Sequence, residues 1–349
     1  MKKIFIGPQE TPVTGQSVAF GILKHYAKSN DYFLEYPNSF QILNIIYFYS
    51  ILISRIFTKE SSVIYLSISR TRIGFLRDFS IIFLANIRRL KVTCHLHGAD
   101  LQYLYQSENI LVRFLLFVTY RYLVSSMIIL TEEMTKELIY PIEFTVIPNA
   151  VSPSFEDYFQ NKLRKKYRIN GKLNISFVSN LIETKGILHL IDAVEKFDKD
   201  KIVLNIYGND GYSELVDERM KRLPENIKFH GIVKGIEKIE AYVKSDIIAL
   251  PSFYPTEAQP MCLIEAMYSQ CAILFSNHSY LPDFFPMGAG RCVNPCDILS
   301  LVEAINEFLK NYELLRESGY FGWNYALSNC SSKVHYDRVV EHMDKLVNN

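Results

Sequence analysis

Short apolar runs bounded by turn residues recur along the chain, and most are followed by a stretch with helical periodicity. Lys3 to Gly7, Val63 to Ser67, Lys91 to Leu96, Met127 to Thr131 and Phe144 to Val151 form one series. Asn174 to Asn180, Ile202 to Gly208, Ile227 to Val233, Asp246 to Leu250 and Cys271 to Ser276 form a second. Strands this short and this apolar are buried on both faces, and strands that alternate with helices pair in parallel. The chain has 349 residues, long enough for two such cores. The expected fold class is α/β, with one Rossmann-like domain over residues 1–152 and a second over 153–330.

Composition narrows the function. Hydrophobic residues make up 49%, which excludes a disordered chain. Net charge is +1, so no nucleic-acid partner is expected. The charge is uneven, however: residues 1–150 carry 15 Lys and Arg against 11 Asp and Glu, and 51–91 carry eight against two. Phe40 to Phe57 is the most apolar stretch, but polar residues and Arg55 interrupt it, so it reads as a buried or interfacial helix rather than a membrane span. Asn109 to Val124 reads as another apolar helix. Apolar helices beside a basic segment suit peripheral docking on an anionic leaflet, and equally suit a core with solvated arginines. The start of the chain has no long apolar region and reads as a strand, not a signal peptide. The six cysteines are scattered without a C-x2-C spacing, and read as free cytosolic thiols.

The loop that follows Leu250 carries the most chemistry. Glu257 and Glu265 lie eight residues apart, roughly 80° on one ideal helix, so they do not share a simple helical face. Pro260 disfavours helical backbone at Gln259 and is tolerated in a helix's first turn. Glu257 is therefore expected on the loop and Glu265 just inside a helix. The N–H groups of the helix start, near Met261 and Cys262, then offer an anion site flanked by acceptors for hydroxyls. Phosphate plus sugar hydroxyls describes a nucleotide-sugar. Read alone, the same residues also make a capped amphipathic helix with a spare carboxylate.

Other loops repeat that layout. Pro8 to Ser17 follows the first strand and contains Gly15 and Gln16 ahead of a helix expected from about Val18 to Ala27. It lacks the G-x-G-x-x-G pattern, and no acidic ribose ligand follows, so an NAD-dependent oxidoreductase is excluded. His95 and His97 fall on one side of a strand, with only His97 at its tip. No third ligand lies near them, so no metal site is expected. Lys185 and Gly186 open a helix after Asn180, where a point cation either suits a diphosphate or is solvated.

Glu257, seven residues, then Glu265-Ala266-Met267 resembles the E-x7-E motif of family 4 retaining glycosyltransferases of the GT-B fold. The glycine loop at Gly15, His97-Gly98, Val146-Ile147-Pro148-Asn149 and Lys185-Gly186 follow in the family's order, so the resemblance covers nearly the whole chain. It departs at four places: Ala258, Ala150 and Ser179 stand where the family usually has glycine, and Asn180 where it usually has arginine. The resemblance implies two domains facing across a cleft, with a helix in 331–349 returning to the first. It implies Glu257 and His97 as catalytic residues, Glu257 on the donor-sugar hydroxyls and His97 positioning the sugar. Glu265 would take the ribose hydroxyls, and Gly15, Gln16, Asn180, Lys185, Gln259, Pro260, Met261 and Cys262 the rest of the donor. Ile232 and Val233 would lie along the base.

The expected function is transfer, with retention and without metal, of a sugar from a UDP- or GDP-linked donor to a saccharide acceptor. A basic, apolar first domain suits a lipid-linked acceptor at the inner face of the cytoplasmic membrane, as in O-antigen or capsule synthesis. No cofactor beyond the donor is expected. The alternatives are a nucleotide-sugar 2-epimerase-like enzyme and a non-catalytic GT-B partner subunit, which Asn180 and Ala258 favour.

Overall fold

The structure is a computed structural model that describes residues 2–11, 14–37, 41–58, 61–160, 167, 171–209 and 213–348. Pro12 and Val13 of the first loop, and the basic residues Lys162, Arg164, Lys165, Lys166 and Arg168, lie outside the described residues. The chain divides into two compact units, Met1–Ser152 with Ser332–Asn349, and Pro153–Ser331.

The first unit has a six-stranded parallel sheet: β1 (Lys2–Gly7), β2 (Tyr32–Glu35), β3 (Ser61–Ser67), β4 (Lys91–His95), β5 (Ser126–Ile129) and β6 (Phe144–Val146), in the order β2-β1-β3-β4-β5-β6. The second also has six parallel strands: β7 (Leu173–Val178), β8 (Ile202–Tyr207), β9 (Ile227–Phe229), β10 (Ile247–Leu250), β11 (Ala272–Ser276) and β12 (Gly290–Val293). Their order is β12-β11-β10-β7-β8-β9. In each sheet the chain starts on an interior strand, winds outward to one edge and crosses back. The order reverses between β1 and β3 and again between β7 and β10, and at such a switch point the loops leaving the carboxyl ends of the strands open a crevice.

The central strands formed as their composition dictates. All four residues of β10 are buried, and Asp246 in front of it accepts the Asn174 N–H at 2.7 Å, which fixes its register against β7. The edge strands β2 and β12 were not legible, because neither is a continuous buried run. The strand expected over 144–151 stops at Val146.

Helix boundaries corrected several expectations. The first helix spans Gly15–His25 rather than starting at Val18, because Thr14 and Ser17 form a reciprocal capping box. The helix expected over 109–124 runs Ile110–Val118 and ends in a single wider turn, Thr119–Leu123. Glu132 opens only a 3-10 turn, Glu132–Glu137. The 18-residue helix Tyr312–Asn329 was not foreseen, since glycines break its pattern. Those glycines are where it packs: a Cβ at Gly319 would sit 2.4 Å from the Gln270 carbonyl, and one at Gly322 3.2 Å from Met267.

The last helix, Ser332–Asn348, belongs to the first unit. Tyr336, Val339 and Met343 join a core with Phe5, Phe20, Tyr65 and Ile147. It lies with Gly15–His25 on one side of the sheet. Right-handed crossovers put the helices Ile42–Ile56, Arg72–Ile87 and Ile110–Val118 on the other. Among the described residues no helix is long and apolar enough to cross a membrane.

Candidate functional site

The switch point of the second sheet is built by two loops locked together. Gly186 has φ +81°, and a Cβ there would lie 2.1 Å from the Pro251 carbonyl oxygen. Only glycine lets the loop after β7 lie against the loop after β10. The contact is stitched by the Phe253 N–H, which donates to the Thr184 carbonyl at 2.7 Å.

Into this junction the two loops bring Lys185 and Glu257. Lys185 Nζ lies 2.5 Å from Glu257 Oε2, and Ser252 Oγ donates to the same oxygen at 2.8 Å. Tyr254 covers the ammonium, with its ring centroid 4.5 Å away. Glu257 Oε1 has no partner among the described residues. Ala258 and Gln259, which follow Glu257, are buried.

Pro260 caps the helix Met261–Tyr268 in extended backbone, at φ −66° and ψ 126°, rather than lying in its first turn. Glu265 is the fifth residue of this helix, inside it as expected and one turn from its start. The first two N–H groups, of Met261 and Cys262, have no acceptor among the described residues. Both oxygens of Glu265 are engaged: Lys238 Nζ donates to Oε1 and the Tyr242 hydroxyl to Oε2, each at 2.6 Å. A carboxylate offers about four lone-pair sites, so each oxygen can still accept. Burial, then the carboxylates Glu257 and Glu265, push the Cys262 thiol up to about 12, which keeps it protonated and excludes it as a nucleophile.

The remaining donor-side residues sit around this core. Asn180 is exposed on the loop after β7, whereas Ile232 and Val233 follow β9, with Ile232 exposed. In the first unit, Gly15 is the first residue of its helix and not a loop glycine. The Gln16 amide is committed to the end of β3, donating to Ser67 Oγ at 2.9 Å and to the Ile68 carbonyl at 3.1 Å.

His97 lies two residues beyond β4, while His95 is packed inside the strand and paired with the Tyr65 hydroxyl at 2.7 Å. The two rings stack at 3.8 Å. His97 Nδ1 donates to Asn149 Oδ1 at 3.2 Å, which leaves Nε2 as a buried acceptor with no partner. Burial holds its pKa down to about 3, so the ring is neutral and can accept a hydroxyl. Arg70 lies over Gly98: a Cβ there would meet the guanidinium at 1.7 Å and displace it from Asp100, with which it pairs at 2.9 Å.

Sequence reasoning missed Ser252, Lys238, Tyr242 and Arg70. Lys238 and Tyr242 stand four residues apart on one helix, so their shared face was visible, but nothing in the sequence aimed that face at Glu265. Among the described residues no group of three His, Cys, Asp or Glu side chains could hold a metal ion.

Residues 159–322 match the family of Glycosyl transferases group 1. No curated protein matches the chain. Similar solved structures include a glycosyltransferase from Rickettsia africae, with 16% identity over 100% of this chain and 99% of that one and a TM-score of 0.73. HepE from Anabaena, solved with UDP, shares 16% identity over 99% and 100% of the two chains, with a TM-score of 0.75. A sucrose-phosphate synthase from Thermosynechococcus elongatus shares 14% over 99% of each, with a TM-score of 0.69. The chain therefore has the GT-B fold, and the part of it similar to the group 1 glycosyltransferases lies in its second unit.

Proposed function

We propose that this protein is a retaining glycosyltransferase of family 4 that moves a sugar from a nucleoside-diphosphate sugar to a saccharide acceptor. The observation that carries the reading is the junction of β7 and β10. There a cation, a carboxylate with one open oxygen and a helix start with two open N–H groups converge. The group 1 match spans these residues. HepE has been solved with UDP-glucose, which makes a UDP-sugar the first donor to test, with GDP-sugars second.

In this reading the diphosphate meets the N–H groups of Met261 and Cys262 and the positive end of the helix dipole. Lys185 turns from Glu257 to the phosphates when the donor arrives. Glu257 holds donor-sugar hydroxyls and stabilises the oxocarbenium-like charge at the anomeric carbon. The bond from that carbon to the diphosphate oxygen breaks, and the acceptor oxygen bonds on the same face. The leaving phosphate oxygen takes the acceptor's proton, so the anomer is retained. Glu265 accepts the ribose hydroxyls through its remaining lone pairs, and His97 Nε2 accepts a sugar hydroxyl. Cationic charge from Lys185 and the helix makes the transfer independent of metal, so chelator leaves the rate unchanged. The acceptor is a lipid-linked saccharide of surface polysaccharide synthesis, presented at the cytoplasmic face of the inner membrane.

Thermal shift with a panel of nucleoside diphosphates and their sugars identifies the donor, because a ligand that binds only the folded state raises apparent stability. Product NMR then reads the anomer, and an inverted product sinks the retaining reading. Glu257→Ala abolishes transfer and spares nucleotide binding. A non-catalytic subunit would show neither transfer nor donor hydrolysis before the substitution.

A further inference from the structure

The helix Ile42–Ile56 buries one narrow stripe, Phe48, Leu52 and Ile56, each four residues from the next. Its outer side is also apolar: Ile42, Leu43, Ile46 and Tyr47 are exposed, Leu43 at 79%. The helix Arg72–Ile87 repeats this, with Ile73, Leu76, Phe83 and Ile87 exposed along one side. The two are neighbours. The Tyr49 hydroxyl lies 2.5 Å from Ser80 Oγ, and the Arg88 guanidinium sits 5.8 Å from the Phe57 ring centroid. The layer continues to the third helix. Asn86 Nδ2 donates to the Leu123 carbonyl at 2.9 Å, Arg72 pairs with Glu108 at 3.4 Å, and Ile110, Leu111 and Phe114 are exposed. A contiguous exposed apolar face of this extent marks an interaction surface.

Charge decides what covers it. These three helices carry one carboxylate, Asp78, and it is buried. Among the described residues the exposed charges at their ends and on the third helix are basic: Arg72, Arg88, Arg89, Lys91, Arg113 and Arg121. In the second unit, the helix Gly235–Lys244 instead exposes Glu237 and Glu240 beside its lysine. A second copy of this chain, meeting the face across a two-fold axis, would bring like charges together with no acid to pair them. Anionic lipid headgroups pair with the basic edge while the apolar side chains enter the headgroup boundary. We infer that the outer layer of the first unit docks on an anionic bilayer. The helices Ile42–Ile56, Arg72–Ile87 and Ile110–Val118 then lie flat in the interface, since none is long enough to cross. This deepens the lipid-linked acceptor of the reading above by assigning the surface that approaches the lipid.

Flotation of the full chain with phosphatidylglycerol–phosphatidylcholine vesicles tests this against vesicles of phosphatidylcholine alone. Binding is expected to the anionic vesicles and to fall steeply with salt. The pair Ile46→Glu and Phe83→Glu is expected to cut it at least tenfold, and Arg88→Ala about fivefold. These residues are exposed, and circular dichroism and Tm confirm that the variants fold. No binding by the wild type, or equal binding by the pair, overturns the inference. So does a dimer in sedimentation equilibrium that the pair dissociates without any vesicle binding. Thermal shift with the panel of nucleoside diphosphates and their sugars on the same samples separates the two readings: vesicle binding without a response to any of them leaves this surface standing and removes the transferase.

Discussion

Lys185 Nζ and Glu257 Oε2, contributed by the loops after β7 and β10, form an ion pair of 2.5 Å with both side chains mostly buried. Removing one partner of such a pair strands the other charge, which costs about 3 kcal/mol. Lys185→Ala and Glu257→Ala should each lower stability by about that much in urea denaturation. The double variant should lose clearly less than the sum, because the stranded charge is gone. Donor binding must exchange this pair for a lysine–phosphate contact, so Lys185→Ala should weaken nucleotide diphosphate binding more than nucleoside binding in calorimetry.

Glycine substitutions should separate strain from open space. Gly186→Ala meets both positive φ and the Pro251 carbonyl, and should destabilise by more than about 1 kcal/mol while loosening the nucleotide site. Gly231 has φ +71° with nothing within 4 Å, so alanine there carries strain alone and should cost less than at Gly186. Gly21 lies inside a helix, where a Cβ meets nothing within 4 Å, and Gly21→Ala should stabilise by about 0.5–1 kcal/mol. Thermal melts of the three variants check the order.

The central strands and the loops that leave them were legible, because a strand buried on both faces must be apolar throughout and ends where polar residues begin. Glu257 and Lys185 could be placed on loops for the same reason. Their mutual pairing could not, since they lie 72 residues apart and meet only through the parallel pairing of β7 with β10. Gly15 was misplaced because Thr14 and Ser17 cap the helix earlier than its apolar periodicity begins. Lys238 and Tyr242 stayed hidden because a lysine and a tyrosine on an amphipathic helix look the same whether they meet solvent or a buried carboxylate.

The first unit should lose stability in mild acid. Burial lowers the pKa of His95 and His342, and lowers His97 to about 3 and His335 to about 4, from 6.5. The unfolded chain therefore binds more protons than the folded one below pH 6.5. The stability these residues confer is complete above 6.5 and is lost as pH falls toward about 4, by up to about 1.4 kcal/mol per unit for each histidine. Asp78 acts in the opposite sense. Burial raises it from 3.8 to about 6, so its contribution is present below 3.8 and is lost as pH rises through 6. One carboxyl offsets part of the effect of four histidines, and the net is a Tm that falls between pH 6.5 and 4. Replacing His342, which bridges Thr93, Ser126 and Thr145, with Gln should flatten that slope while lowering Tm at pH 7.5.

Tyr242 and Glu265 offer the sharpest test of how the nucleotide is held. The Tyr242 hydroxyl is buried and donates at 2.6 Å to Glu265 Oε2, and Lys238 holds the other oxygen at the same distance. With one donor on each oxygen the carboxylate cannot rotate, and its open lone pairs keep one direction. If those lone pairs take the ribose hydroxyls, Tyr242→Phe removes the orienting bond without emptying the space behind it. A hydrogen bond to a charged group contributes about 1.5–3 kcal/mol, so UDP affinity should fall by roughly tenfold or more. The turnover at saturating donor should stay close to wild type, because Glu265 does not touch the reacting carbon in this scheme. KM for the donor should rise alone. Lys238→Met removes a positive charge near the carboxylate as well as a bond, and should weaken UDP further at low salt than at high salt. A fall in turnover with unchanged UDP affinity in Tyr242→Phe would instead mean that Glu265 serves the sugar and Glu257 the nucleotide, the reverse of the division proposed.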